Sequence, residues 1–458
     1  MITRRAVDFS QGPIPKNIMN VALPIIVSEL VHVLYNMVDR MFIGHIEGIG
    51  TAALTGVGVS LPLITVITAF SYLCGVGGMP LFSIARGEGK EEHANHIMEN
   101  SFTILLLFSF VLMSLMLLFR RQLLLLIGAN AESLPYAAEY LTIYLLGSTF
   151  VMISLGMNPY INAMGNSRIG MFTILIGAVV NLILDPIFIF ALDMGVRGAA
   201  VATVIAQFCS AVWVVIHLTQ HAPMRLHHLR FSLDITRQII SLGLSGFTFK
   251  LTNSIVQALV NLSLNAYGGA DSTLYIGAMS IINSLREVMI QPVSGITSAT
   301  QSVMGFNYGA KKYGRVRESI RFMLFSTLSY NILVWLVLII FAPQIAAAFS
   351  DDTALIAITA HAMRIYFAVF FMMSLQMTGQ NTFVGLNYPK QAVFFSLFRK
   401  LIVFIPLLFL LPRTALGVDG IFYSEAASQL IGSSVCFLAM LLMVYRKITV
   451  LQRTEESS

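Results

Sequence analysis

Charge and cysteine are both scarce in this chain, and each shortage excludes a class of protein. Only 11% of its 458 residues are Asp, Glu, Lys or Arg, while 57% are hydrophobic. A soluble domain is about 25% charged. The apolar residues fall in unbroken runs of about 20 or more, enough to cross roughly 30 Å of hydrocarbon, so the expected solvent is lipid. The three cysteines, Cys74, Cys209 and Cys436, lie inside such runs. That excludes a disulfide framework or a cysteine-based zinc site. Also missing are a GxxxxGK[ST] phosphate loop, HExxH and GxSxG, so neither ATP-driven transport within this chain, nor an enzyme, nor a cofactor is expected. The net charge of +6 is not gathered on one contiguous face, and no nucleic-acid partner is expected.

What is present is a series of spans. Apolar runs divided by Gly, Pro, Asn or charge clusters predict twelve transmembrane helices, near 17–43, 51–84, 97–119, 136–161, 169–191, 196–218, 238–266, 275–306, 319–341, 358–384, 391–411 and 417–445. The expected fold class is an all-α polytopic membrane protein. Its expected divisions are an N-terminal segment 1–16, a six-helix lobe 17–218, a linker 219–237, a second six-helix lobe 238–445 and a tail 446–458. No small-residue cleavage site follows the first run, so it reads as a retained helix rather than a signal peptide. With a cytoplasmic N-terminus, 18 of the 28 Lys and Arg fall on the inner side. Only Arg120, Arg121, Arg197 and Arg413 fall on the other. That bias places both termini in the cytoplasm.

The chain also repeats itself. Gly195-Val196-x-Gly198 with Gln207 recurs as Gly417-Val418-x-Gly420 with Gln429, and Gly89 with Phe102 recurs as Gly309 with Phe322. Six spans per half is an even number, so the halves enter the membrane from the same side. The expected symmetry is a pseudo-two-fold axis along the membrane normal, an arrangement that suits alternating access.

Ionisable groups at bilayer depth cost about 2.5–3.5 kcal/mol each, and so face a bundle interior or water. In the first span Glu29, His32, Asn36 and Asp39 form one stripe about 80° wide at roughly 100° per residue, with Tyr35 one turn before Asp39. Glu29 and His32 also read as a simple pair. In the fifth span Asn181 and Asp185 stack at i, i+4. Pro186 follows and frees a carbonyl there. These oxygens suit Na⁺, or a proton on the carboxylate. The sixth span adds Thr203, Gln207 and Ser210 along one stripe. The second half is more basic, with Lys250, Arg286, Glu287, Arg399, Lys400 and Glu425, and carries Asn253 and Gln257 in its first span. A transported cation should therefore find its strongest partner in the acidic first half. Asn36, Gln207, Asn253, Gln257 and Glu287 are the candidate substrate contacts, although Glu287 also reads as a partner of Arg286 or Lys250. Arg399 reads as a brace.

The runs YNMVDRMFIGHI (35–46), NLILDP (181–186), GFNYGAKKYGRV (305–316) and GLNYPK (385–390) resemble the multidrug and toxic compound extrusion (MATE) family, specifically its bacterial multidrug exporters. The resemblance runs over about 15–445. It implies two six-helix lobes and antiport of lipophilic organic cations against H⁺ or Na⁺ in the bacterial inner membrane, by a monomer among membrane lipids. Carried over residue by residue, it implies coupling roles for Asp39 with Tyr35, for Asn181 and Asp185, and for Thr203. Asp39, Asn181, Asp185 and Thr203 would then be the ligands if the ion is Na⁺. Relatives with a second acidic set in spans seven and ten are not matched, because those spans carry no acid here. A lipid-linked sugar or polysaccharide flippase would share the fold, but needs a strongly basic cavity for a diphosphate.

Overall fold

The computed structural model describes residues 6–47 and 50–457. Arg4 and Arg5 of the charge census and Ser458 lie outside the described residues. Among the described residues every regular element is a helix. The first six spans are α1 (Ile14–Gly44), α2 (Gly50–Gly87), α3 (Glu91–Ile127), α4 (Leu134–Leu146) with α5 (Ser148–Ala163), α6 (Ser167–Pro186) and α7 (Gly195–Ile216). The second six are α8 (Leu233–Tyr267), α9 (Ser272–Gly309), α10 (Tyr313–Ile340), α12 (Thr353–Tyr366) with α13 (Met373–Gly385), α14 (Pro389–Leu397) with α15 (Ile405–Leu410), and α16 (Asp419–Met440). A short α11 (Ala342–Ala347) follows α10, and α17 (Arg446–Ser457) ends the described chain.

Each of the twelve expected spans has a counterpart. Among the described residues nine helices are long and apolar enough to cross a membrane, and two bent pairs, α4–α5 and α12–α13, bring the number to 11. The twelfth is α9, whose 38 residues include Arg286, Glu287 and Gln291. Its length is ample at 1.5 Å per residue, but its polar side chains dilute the apolar signal. Leu118, Leu126 and Phe325 are 71%, 84% and 72% exposed, as expected of side chains that face acyl chains rather than water. The chain is a multi-pass membrane protein.

By its internal contacts the chain divides into two compact units, one of residues 20–247 with those up to 12, the other of 248 onward with 13–19. In the first, α2 packs on α3 and α5, and α6 on α7; in the second, α13 packs on α16, and α9 on α10 and α12. The core of the second unit gathers Val256, Val260, Met279, Ile282, Phe367, Phe404 and Phe422. The segment read as a linker is firmly held within the first unit. Buried Glu99 of α3 accepts the backbone N–H groups of His227 and His228 at 3.2 and 3.1 Å. Its neighbour Asn100 accepts from Ser232 N at 2.6 Å and donates to Thr236 Oγ1 at 2.9 Å.

Two spans read as single helices are sharply bent, α4–α5 by 57° and α12–α13 by 44°. No proline marks either break. The freed carbonyls are answered by side chains: Ser148 Oγ donates to Leu145 O at 2.7 Å, and Trp335 Nε1 to Ala368 O at 2.9 Å. Such local answers make a bend tolerable in lipid.

The duplication is visible in backbone conformation. Left-handed residues Gly89, Gly165 and Gly195 (φ 74°, 82° and 53°) recur as Lys311, Asn387 and Gly417 (φ 59°, 61° and 53°), each pair separated by 222 positions. This corrects the register expected for one match: Gly89 corresponds to Lys311 rather than Gly309, because α3 begins at Glu91 and α10 at Tyr313. The Gly-Val-x-Gly turns are equivalent. A Cβ on Gly198 would lie 2.6 Å from the Phe188 carbonyl carbon, and one on Gly420 2.6 Å from that of Leu411. Gly198→Ala and Gly420→Ala should each destabilise the protein by about 1–3 kcal/mol. The check is the thermal midpoint of each purified variant, and an unchanged midpoint for either would refute the close approach.

Candidate functional site

In the first unit, α1 and α6 bring two acids together. Asp185, 1% exposed, accepts a hydrogen bond from Asn181 Nδ2 at 2.9 Å. This follows directly from their i, i+4 spacing on α6. The Asp39 carboxyl of α1 lies within hydrogen-bonding reach of Asp185. Its Oδ1 is buried without a hydrogen-bond partner. The physical reason is plain: its neighbour is another carboxylate, which donates only when it carries a proton. Two carboxylates this close require a proton or a cation between them. Beyond Asp185 the helix continues as a π-helical turn, Ile187–Ala191, a re-registration common beside functional groups.

Polar groups from four helices complete the shell. Tyr35 lies near Gln207, whose Oε1 accepts from Ser154 Oγ at 2.9 Å. Thr203 donates to Ala199 O at 3.0 Å and lies near Tyr140. Tyr140 stacks on Tyr144 with ring centroids 6.2 Å apart. A small cavity of this unit is lined by His32, Tyr35, Ser154, Thr173, Gln207 and Ser210.

Of the sequence-derived candidates, Tyr35, Asp39, Asn181, Asp185, Thr203 and Gln207 gather here. Asn36 Nδ2 donates to His32 O along α1 at 2.8 Å. Glu29 and His32 approach one another at 4.0 Å, and Ser210 donates to Thr173 O at 2.8 Å, joining α7 to α6. Tyr140 and Tyr144 were missed by the sequence reading. Their i, i+4 spacing was the available signal, but in a span read as straight they pass for apolar filler. The 57° break after α4 gives that arm its own direction.

The second unit carries a different cluster. Arg399 and Lys400 lie in a π-helical stretch, Phe398–Phe404, whose wider turn brings consecutive side chains toward one face. Arg399 donates to Glu425 Oε1 at 3.0 Å and to Gln429 Oε1 at 2.9 Å, and Lys400 to Glu425 Oε2 at 2.9 Å. All four residues are buried, so Arg399 is the brace expected of it. Asn253 and Gln257 line a cavity of ≈ 50 Å³ here with Arg286, Tyr366 and Lys400. Glu287 is exposed and makes no ion pair among the described residues, so its expected pairing with Arg286 or Lys250 is not made. The reason is that it leaves the face of α9 from which Arg286 reaches Tyr366. Among the described residues no group of three His, Cys, Asp or Glu forms a metal cage.

A duplicated set of twelve spans with ionisable groups sheltered in each half defines a membrane transporter rather than an enzyme. The chain belongs to the MATE family: the family model MatE matches residues 24–187 and 250–410, one block in each unit. It is 24% identical over 442 residues to the multidrug export protein MepA of Staphylococcus aureus strain N315, covering 95% of both chains. A solved multidrug resistance MATE transporter in an outward-facing conformation superposes with a TM-score of 0.89 at 22% identity, over 99% of this chain and all of that one. The same values hold for a transporter from Pyrococcus furiosus Vc1, described as having a binding pocket of reverse polarity that suggests a different function.

Removing Glu425 should be severe, since two buried cations lose their counter-charge. Glu425→Gln should cost about 3–5 kcal/mol, read as a lowered thermal midpoint. Lys400→Met should cost less, because it removes surplus charge of the same sign.

Proposed function

We propose that this chain is a bacterial multidrug exporter of the plasma membrane, exchanging lipophilic organic cations for H⁺ or Na⁺ by alternating access. The observation that carries the reading is the pairing of Asp39 with Asp185 where α1 meets α6 in the first unit. The likeness to MepA along nearly the whole chain supports multidrug export. In this reading Asp39, Asn181, Asp185, Thr203 and Tyr35 take the coupling ion, and Gln207 joins them in contacting the drug. Residues 17–218 and 238–445 act as the two lobes, with both termini cytoplasmic by the bias of basic residues.

The cycle follows from charge. With the pocket open to the outside, H⁺ or Na⁺ neutralises the acid pair. α1, with Pro24 inside it, bends, and the drug leaves. With the pocket open to the cytosol the ion departs, and the bare carboxylates attract a lipophilic cation. A one-for-one exchange of monovalent cations moves no net charge, so the drive is the ion's concentration gradient: a tenfold gradient supplies about 1.4 kcal/mol, enough for about tenfold accumulation. A flippase for lipid-linked sugars is the weaker reading. It needs a strongly basic cavity for a diphosphate, whereas the groups gathered in the first unit are acidic, Asp39 with Asp185.

Asp39→Asn and Asp185→Asn should fold and reach the membrane but lose export. The measurement is ethidium efflux from loaded cells expressing each variant, and full export by either would sink the proposal. Replacing Na⁺ by choline at fixed pH in proteoliposomes identifies the ion: unchanged transport means H⁺, and abolished transport means Na⁺.

A further inference from the structure

The cavity of the second unit is unbalanced in charge. Arg286, Arg399 and Lys400 surround a single carboxylate, Glu425, which already accepts from both Arg399 and Lys400. Arg286 lies beside Tyr366 and has no carboxylate within ion-pair distance among the described residues. Arginine does not deprotonate in proteins. Even with Lys400 neutral, two guanidinium groups would face one acid, in a setting where uncompensated charge is expensive.

The neutral groups point the same way. Asn283 lines the cavity, and its Nδ2 is buried without a partner; the amide nitrogen of Gln429, beside Arg399, is likewise unanswered. Both unmet atoms are donors, so what is lacking is an acceptor. The rest of the wall is mixed, with Val256, Met279, Phe404 and Phe422 beside Asn253 and Gln257.

We propose that this cavity binds the oxyanion head of an organic anion, a carboxylate or phosphate on an apolar body, between Arg286, Lys400 and Asn283. The site is separate from the acid pair and does not rest on the exporter reading. The anion arrives either from solution or as the head group of an anionic lipid, and the chemistry at the cavity is the same.

The test is calorimetric titration of the full-length protein in detergent with butyrate, and with butylammonium as the charge-reversed control. One butyrate should bind per chain, and butylammonium should not compete for it. Arg286→Met should weaken butyrate by about tenfold or more, the loss of a charged hydrogen bond. Asn283→Asp supplies the missing carboxylate from within. It should abolish butyrate binding and raise the thermal midpoint, which keeps the test decisive should Arg286→Met not fold. No butyrate binding to the unaltered protein, or an affinity unchanged in both variants, overturns the proposal. Nanodiscs identify the source. Weaker butyrate binding with phosphatidylglycerol present than in phosphatidylcholine alone assigns the site to a lipid head group, and equal binding assigns it to a soluble anion; both uphold the site.

Discussion

A charge inside a bilayer must be compensated, and the arrangement of both units turns on how that demand is met. In the first unit, Asp39 and Asp185 face one another with no salt bridge to either among the described residues, and under the proposed function the neutralising charge comes from outside the protein. In the second, Glu425 is saturated by Arg399 and Lys400, and the surplus is positive. A low dielectric makes each arrangement consequential, because a satisfied network is rigid and an unsatisfied one attracts a ligand. The two units thus apply one rule with opposite sign.

Departures from ideal helix put these groups in place. The π-helical turn after Pro186 begins just beyond Asp185, and the longer one at Phe398–Phe404 contains Arg399 and Lys400. The α4–α5 break separates the tyrosine-bearing arm, with Tyr140 and Tyr144, from the helix that carries Ser154. Close packing fixes that break, since a Cβ on Gly147 would lie 2.5 Å from a Val204 methyl, one residue from Thr203.

Much of this was legible in the sequence. Span number followed from apolar run length, and the i, i+4 pairing of Asn181 with Asp185 from helix period alone. The duplication was readable because glycines needed for left-handed turns and for close backbone approach leave a spaced trace. What stayed hidden had no period. The breaks after Leu146 and Tyr366 lack proline and depend on Ser148 and Trp335 to answer freed carbonyls. The grouping of Asn253 and Gln257 with Arg286 and Lys400, rather than with the acids, is a tertiary fact. So is the capture of the presumed linker by Glu99, a buried acid that sequence reading passed over as part of a helix start.

The constant separation of 222 positions brings one exchange into view. Gly177 packs against Ser210, since its added Cβ would meet Ser210 Oγ at 2.6 Å. Their counterparts are Arg399 and Gly432, where a Cβ on the glycine would meet Arg399 Cγ at 2.5 Å. One touching pair thus has its small member on opposite helices in the two halves. Thr203 likewise answers to Glu425, and Tyr144 to Tyr366. A copied framework can therefore reverse the electrical character of its interior by trading which member of a contact is bare backbone, leaving loops, turns and helix spacing untouched.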